Sequence, residues 1–336
     1  MTRQLITYTK SLFTLASVRH GQPAITSTID NITLTYKDLE RKCSFLNKLI
    51  STNNKKVAIM LPFSSVHFGV AIYFACTSGR CFLPMNPHHP YELLRYYIND
   101  FKPDILLTSK QYSLDYRLRQ SNRIMCIDES SYSNEVNASE SREHNEDNDL
   151  LILYTSGTTG KPKGVLHTQR SITAQVNDMI DVWNWNAGDR IMQVLPLHHI
   201  HGLVNCLITP LAVGAHCILN SKDHFNAEQV FNRLLSDNPP ITVFMAVPTI
   251  YSKILDYYKN QSFTAKEKQD IRHRFSKQLR LMVSGSAALP DYLYHGFLHM
   301  TGKRIVEQYG STETGRCMSI RPDLESKDLA GKIMSA

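Results

Sequence analysis

Short apolar runs of strand length, each followed by a segment of helical pattern, recur along most of this sequence. That alternation limits the fold more than any other feature. In KKVAIMLPFSSVHFGVAIYFACTSGRCFLPMNP, a strand expected at 57–61, a helix at 64–78 and a second strand at 81–85 succeed one another. DILLTS, RIMCID and LLILYTS supply further strands. A second alternating half follows: RIMQVLP, a helix from Gly202, AHCILN, a helix over 226–235, ITVFMAVP, a helix from Thr249, LRLMVSGSAALP and KRIVEQYGSTETG. Strands joined through helices pair in parallel and need cover on both faces, so the pattern predicts an α/β fold. A chain of 336 residues, 42% of them hydrophobic, can fill such a core.

Several classes drop out. The formal charge of +7 is spread over scattered Lys and Arg with no basic run, which suits small anionic substrates and gives no nucleic-acid footprint. The stretch 191–221 has no Asp, Glu, Lys or Arg, but it contains Pro196, Pro210, Gly202, Gly214, Asn205 and four histidines. It therefore reads as buried strand, loop and helix and not as a transmembrane segment. The apolar stretch near the N-terminus is broken and too short for a signal peptide. Seven dispersed cysteines without a C-x-x-C pair or zinc spacing read as reduced thiols of a cytoplasmic protein. The acidic, polar stretch 128–149 reads as a surface loop.

The strand LLILYT discharges directly into SGTTGKPKGV. This is not the common NTPase phosphate loop: Thr155 stands where its first Gly would be, and Pro162 where its magnesium-binding hydroxyl would be. Pro162 also biases Lys161 away from helical geometry. What remains is a hairpin-like loop whose amides and hydroxyls can donate to phosphate oxygens, with Lys163 as a point charge. A glycine-rich loop at the carboxyl end of a buried strand is where open α/β sheets bind nucleotides.

Three further segments follow strands: LPLHHIHGL (195–203), SGSAALP (284–290) and EQYGSTETG (307–315). In that order after the phosphate loop they resemble the adenylate-forming superfamily of AMP-dependent synthetases and ligases, over nearly the whole chain. Within it they resemble acyl-CoA synthetases of the malonyl-CoA and fatty acyl-CoA branch. The resemblance implies a large domain of two helix-flanked mixed or parallel sheets packed together. One lobe is expected over 54–180 and the other over 11–53 with 181–320, with 321–336 leading toward a small barrel.

The resemblance also assigns roles. Thr155, Ser156, Gly157, Thr158, Thr159, Gly160 and Lys163 would hold the β- and γ-phosphates of ATP. Gly285, Ser286, Ala287, Gln308, Tyr309 and Gly310 would shape the adenine site. Thr312 would donate to the α-phosphate and Glu313 would hold Mg²⁺. His199 would orient the carboxylate, with Lys163, Thr312 and Glu313 as the other catalytic groups. His198 and His201 are pocket-lining candidates; their spacing on a loop does not suit zinc. The cosubstrates implied are ATP, coenzyme A and a carboxylic acid.

Histidines stand where amino-acid-activating relatives carry an Asp, which favours simple carboxylic acids. The malonyl-CoA branch carries an Arg before the Tyr-Gly pair to bind a distal carboxylate; here that residue is Gln308, and a neutral amide forms no bidentate ion pair. The expectation is therefore a fatty or short monocarboxylic acid, with malonate as the alternative and Lys253 as a candidate cation near the pocket. The family's barrel, hinge and C-terminal lysine lie outside 1–336, so a nucleotide-binding chain with at most trace adenylation is the reading from a different class.

Overall fold

The computed structural model of the chain describes residues 13, 19–113, 123–128, 132, 145–157, 160–220, 225–319 and 321–322. In chain order the described strands are β1 (Pro23–Ser27), β2 (Ile32–Thr35), β3 (Lys56–Met60), β4 (Cys81–Pro84), β5 (Ile105–Thr108), β6 (Arg123–Cys126), β7 (Asp149–Thr155), β8 (Lys163–Thr168), β9 (Arg190–Gln193), β10 (His216–Leu219), β11 (Val243–Ala246), β12 (Leu281–Ser284), β13 (Ile305–Ser311) and β14 (Gly315–Ser319). Among the described residues they form an eight-stranded sheet, ordered β14-β13-β12-β11-β9-β10-β1-β2, and a six-stranded sheet, ordered β6-β5-β3-β4-β7-β8.

Interior neighbours are parallel, as the alternating pattern requires. Each of the edge pairs β1–β2, β13–β14 and β7–β8 is an antiparallel hairpin. The interior strands Ile105–Thr108, Val243–Ala246 and Leu281–Ser284 are buried at every position. That is why they read as continuous apolar runs and not as alternating ones.

The two sheets meet across helix Val66–Thr77. Its sequence VHFGVAIYFACT is apolar on every side, and all but two of its residues are buried. A helix without a polar face must be enclosed. Here the enclosure is a single apolar core that joins Ile25 and Cys217 of one sheet to Val57, Ile105 and Leu151 of the other. Just beyond the helix, Arg80 is fully buried; it donates to the Asn54 and Ile50 carbonyls and to Asn47 Oδ1, and lies over the Phe74 ring. A buried guanidinium is tolerable because these oxygens replace its water.

The helix expected from Gly202 is a π-helix, His201–Ile208, running into Thr209–Ala212. Pro210 removes one amide, and Thr209 Oγ1 donates to the Val204 carbonyl at 2.8 Å. No described helix is long and apolar enough to cross a membrane. All seven cysteines are free. Most of the expected surface loop 128–149 lies outside the described residues.

Candidate active site

The phosphate-loop candidate is the turn of the β7–β8 hairpin, in which Tyr154 pairs with Gly164 and Thr155 with Lys163. Its base is anchored to helix Tyr91–Phe101: Tyr96 donates to the Pro162 carbonyl at 2.8 Å, Tyr154 donates to Asp100 at 2.6 Å, and the rings of Tyr97 and Tyr154 stack at 4.1 Å. Gly157 has φ +59°, and a Cβ there would lie 2.3 Å from the Lys161 carbonyl oxygen and 3.7 Å from Lys163 Cγ. Only glycine allows so tight a return over the lysine stem. Ser156, Gly160 and Lys163 are exposed, as a phosphate-facing edge requires. Thr158 and Thr159, expected to hold phosphate, lie outside the described residues.

A residue that the sequence reading passed over ties this hairpin to the other sheet. On β8 the alternation puts Lys163, Val165 and His167 on one face. His167 is buried, and its Nε2 lies 2.8 Å from the Thr312 carbonyl. A carbonyl only accepts, so this nitrogen carries the proton. Burial holds His167 below the ordinary imidazole range, which keeps the ring neutral. The turn bearing Thr312 and Glu313 is thereby fixed against the strand bearing Lys163. The signal in the sequence was period two on the strand after the hairpin.

The parallel strands β12 and β13 end side by side, Ser284 opposite Glu307, so 285–287 and 308–310 form one ledge. Gln308 lies so close over Gly285 that an added Cβ would come 2.6 Å from its Nε2, and its Oε1 accepts from Asn205 at 3.1 Å. Ala287 is exposed, and Tyr309 is 63% exposed, a ring face open to a planar base. Ser286 has φ +67°, a strained value for a residue other than glycine, and its Oγ lies 3.1 Å from His201 Nδ1.

Beside the ledge is a cavity of about 670 Å³ that receives His199, His201, Ser286, Gln308, Gly310 and Thr312. Three of the four motif segments, 195–203, 284–290 and 307–315, thus meet at one space. Burial first, then His89, lowers the pKa of His199, which makes it a neutral hydrogen-bond donor and not a cation. Burial pushes His201 down to about 4. His198 does not line the cavity; it packs on Phe63 and His89, and burial with its two histidine neighbours takes it to about 3. Lys253, the expected cation, is also outside the lining, its ammonium 5.7 Å from the Phe225 ring. Arg316, which the sequence reading did not single out, is in it.

Hydrogen bonds from its own amide and from Ser311 keep the exposed Glu313 ionised below the usual carboxylate range. Among the described residues no group of three or more His, Cys, Asp or Glu could hold a metal ion. One hard carboxylate oxygen suits Mg²⁺ that arrives on phosphates and keeps its waters.

Residues 13–335 match the family described as AMP-binding enzyme. Malonate–CoA ligase ACSF3, mitochondrial, of Homo sapiens is 40% identical over 261 residues, covering 74% of this chain and 44% of the relative. The Bos taurus protein of the same description is 38% identical over 303 residues, covering 85% and 51%. A solved structure described as a malonyl-CoA ligase ternary product complex with methylmalonyl-CoA and AMP bound has a TM-score of 0.80 at 28% identity, covering 94% of this chain and 64% of that one. The chain spans about half the length of the curated relatives it matches.

Proposed function

Because the chain belongs to the AMP-binding enzymes, we propose that it activates a small carboxylic acid with ATP as an acyl-adenylate, for transfer to coenzyme A. One observation carries this reading: Thr312 lines the cavity, and its carbonyl is held by His167 against the strand of the phosphate hairpin. A carboxylate and a nucleotide α-phosphate can therefore be presented to each other at one turn, and such positioning supplies much of a ligase's rate.

In the first step a carboxylate oxygen attacks the α-phosphorus and pyrophosphate leaves. Neutral His199 donates to the carboxylate, Thr312 donates to the α-phosphate, and Lys163 with the hairpin amides stabilises the departing pyrophosphate. Glu313 would hold Mg²⁺, which would offset phosphate charge. In the second step the coenzyme A thiolate attacks the acyl carbonyl and AMP leaves. The description of the two relatives as malonate–CoA ligases favours malonate over the fatty acid expected from Gln308. A reducing compartment suits seven free thiols, whether cytoplasmic, as the sequence suggested, or mitochondrial, as those relatives are described.

Calorimetry of residues 1–336 with an acyl-sulfamoyl adenosine, which joins both halves of the intermediate, tests the reading. Binding tighter than that of ATP is the expected result. A folded chain that gives no heat with either ligand overturns it.

A further inference from the structure

The acid cavity has a charge of its own. Of the described residues that line it, Arg316 is the one with a permanent charge; the others are apolar, neutral polar or histidine. Both of those histidines, His199 and His201, are held neutral by burial. Arg316 lies on β14, paired with Gly310. Its guanidinium carbon is 4.8 Å from the ring centroid of fully buried Trp183, whose Nε1 donates to Ser319 at 3.0 Å on the same strand. The head group is thus held by a rigid platform on helix Gln169–Trp183.

Burial pulls Arg316 down to about 10, opposed by the Asp178 carboxylate on that helix. It stays protonated at neutral pH, in surroundings where an anion is attracted more strongly than in water. A monocarboxylic acid would give its one carboxylate to adenylation and offer Arg316 no anion beyond those of the protein itself. A dicarboxylic acid supplies a second carboxylate.

Resting on the ligase reading above, we propose that Arg316 is the specificity-determining cation of this cavity, binding the distal carboxylate of a short dicarboxylic acid while the other carboxylate is activated at Thr312. Gln308 and Asn205, hydrogen-bonded to each other at 3.1 Å, form the neutral part of the same wall. The rigid guanidinium fork matches a carboxylate bidentately, which a lysine cannot reproduce.

The test compares two adenylate mimics that differ only at the far end, malonyl-sulfamoyl adenosine and propionyl-sulfamoyl adenosine, by calorimetry on residues 1–336. The parent should bind the malonyl compound more tightly. Arg316→Gln should weaken the malonyl compound by about tenfold or more, the scale of a hydrogen bond to a charged group, and leave the propionyl compound within about twofold. Adding Gln308→Arg to that variant should restore part of the malonyl preference, because it returns a cation to the same space. Asp178→Asn, which keeps Arg316 and removes a competing carboxylate, should tighten the malonyl compound alone, and serves if Arg316→Gln folds poorly. Equal losses for both mimics, or a parent that prefers the propionyl compound, would show Arg316 to be a structural cation and overturn the inference. If neither mimic binds the folded parent, the ligase reading itself fails and the inference falls with it.

Discussion

On the proposed reading, single side chains divide the site into a nucleotide end and an acid end, and substitutions should separate them. Lys163 is exposed beside the glycine turn, where pyrophosphate would leave. Lys163→Ala should weaken ATP by about tenfold, the lower end for a charged hydrogen bond, and change an acyl-sulfamoyl adenosine much less, since that compound lacks the β- and γ-phosphates. Calorimetry with both ligands reads the difference, and equal losses would take Lys163 out of the phosphate site. His167 acts differently, because its buried ring holds the Thr312 carbonyl. His167→Ala should leave the Thr312 turn unheld and weaken both ligands together. An isosteric His167→Gln keeps a donor and should recover part of the affinity.

At the level of elements, the site depends on a hairpin whose second strand brings little apolar packing of its own. Leu166 is 49% exposed, and the turn is fastened mainly through Tyr96, Tyr154 and His167. Tyr96→Phe removes the bond to the Pro162 carbonyl without removing the ring. It should raise amide exchange at 160–165 while the melting temperature falls only slightly, because a lost neutral hydrogen bond costs about 1 kcal/mol. Unchanged exchange across the hairpin would show that the turn is rigid without that tie. Helix Ala265–Gln278 lies far from the site and carries a capping box between Thr264 and Glu267. The sequence reading passed over it because its inward face is thin: Ile271 and Phe275 are its buried side chains.

Across the whole molecule, stability rests on the core that the two sheets share. Phe74 is fully buried on the enclosed helix Val66–Thr77 and carries the Arg80 guanidinium. Phe74→Ala should cost about 3–5 kcal/mol by opening a cavity between the sheets, read as a fall in denaturation midpoint. Acid should destabilise the same packing. Burial lowers His198 to about 3 and both His201 and His216 to about 4, well below the ordinary value near 6.5 of the unfolded chain. The unfolded chain therefore takes up more protons between roughly pH 6.5 and 4, so stability is full above that window and is lost as pH falls through it. Melting temperature against pH should show that slope. His216→Asn, which can keep a bond to Thr26 like the present 2.8 Å contact, should flatten it.

The sequence by itself determined the local order of this protein. Apolar runs such as ILLT and LMVS, bounded by glycine and polar residues, can be little but buried strands, and a helix as apolar as VHFGVAIYFACT has to be enclosed. The four loops that carry the site were legible for the same reason: each interrupts a strand pattern with residues that hold unusual backbone or donate hydrogen bonds. The strands β1, β2 and β14 were not legible, β2 and β14 being edge strands and β1 the neighbour of one, all set by their partners and not by their own pattern. Only the tertiary structure decided which side chains face one another. It put Arg316 in the cavity lining, with Lys253 outside it beside the lining residue Phe225, and joined His167 to Thr312 across 145 residues of sequence. It also set the Ser286 hydroxyl against His201. Those pairings depend on how two sheets are set against each other, and no local run of residues encodes that distance.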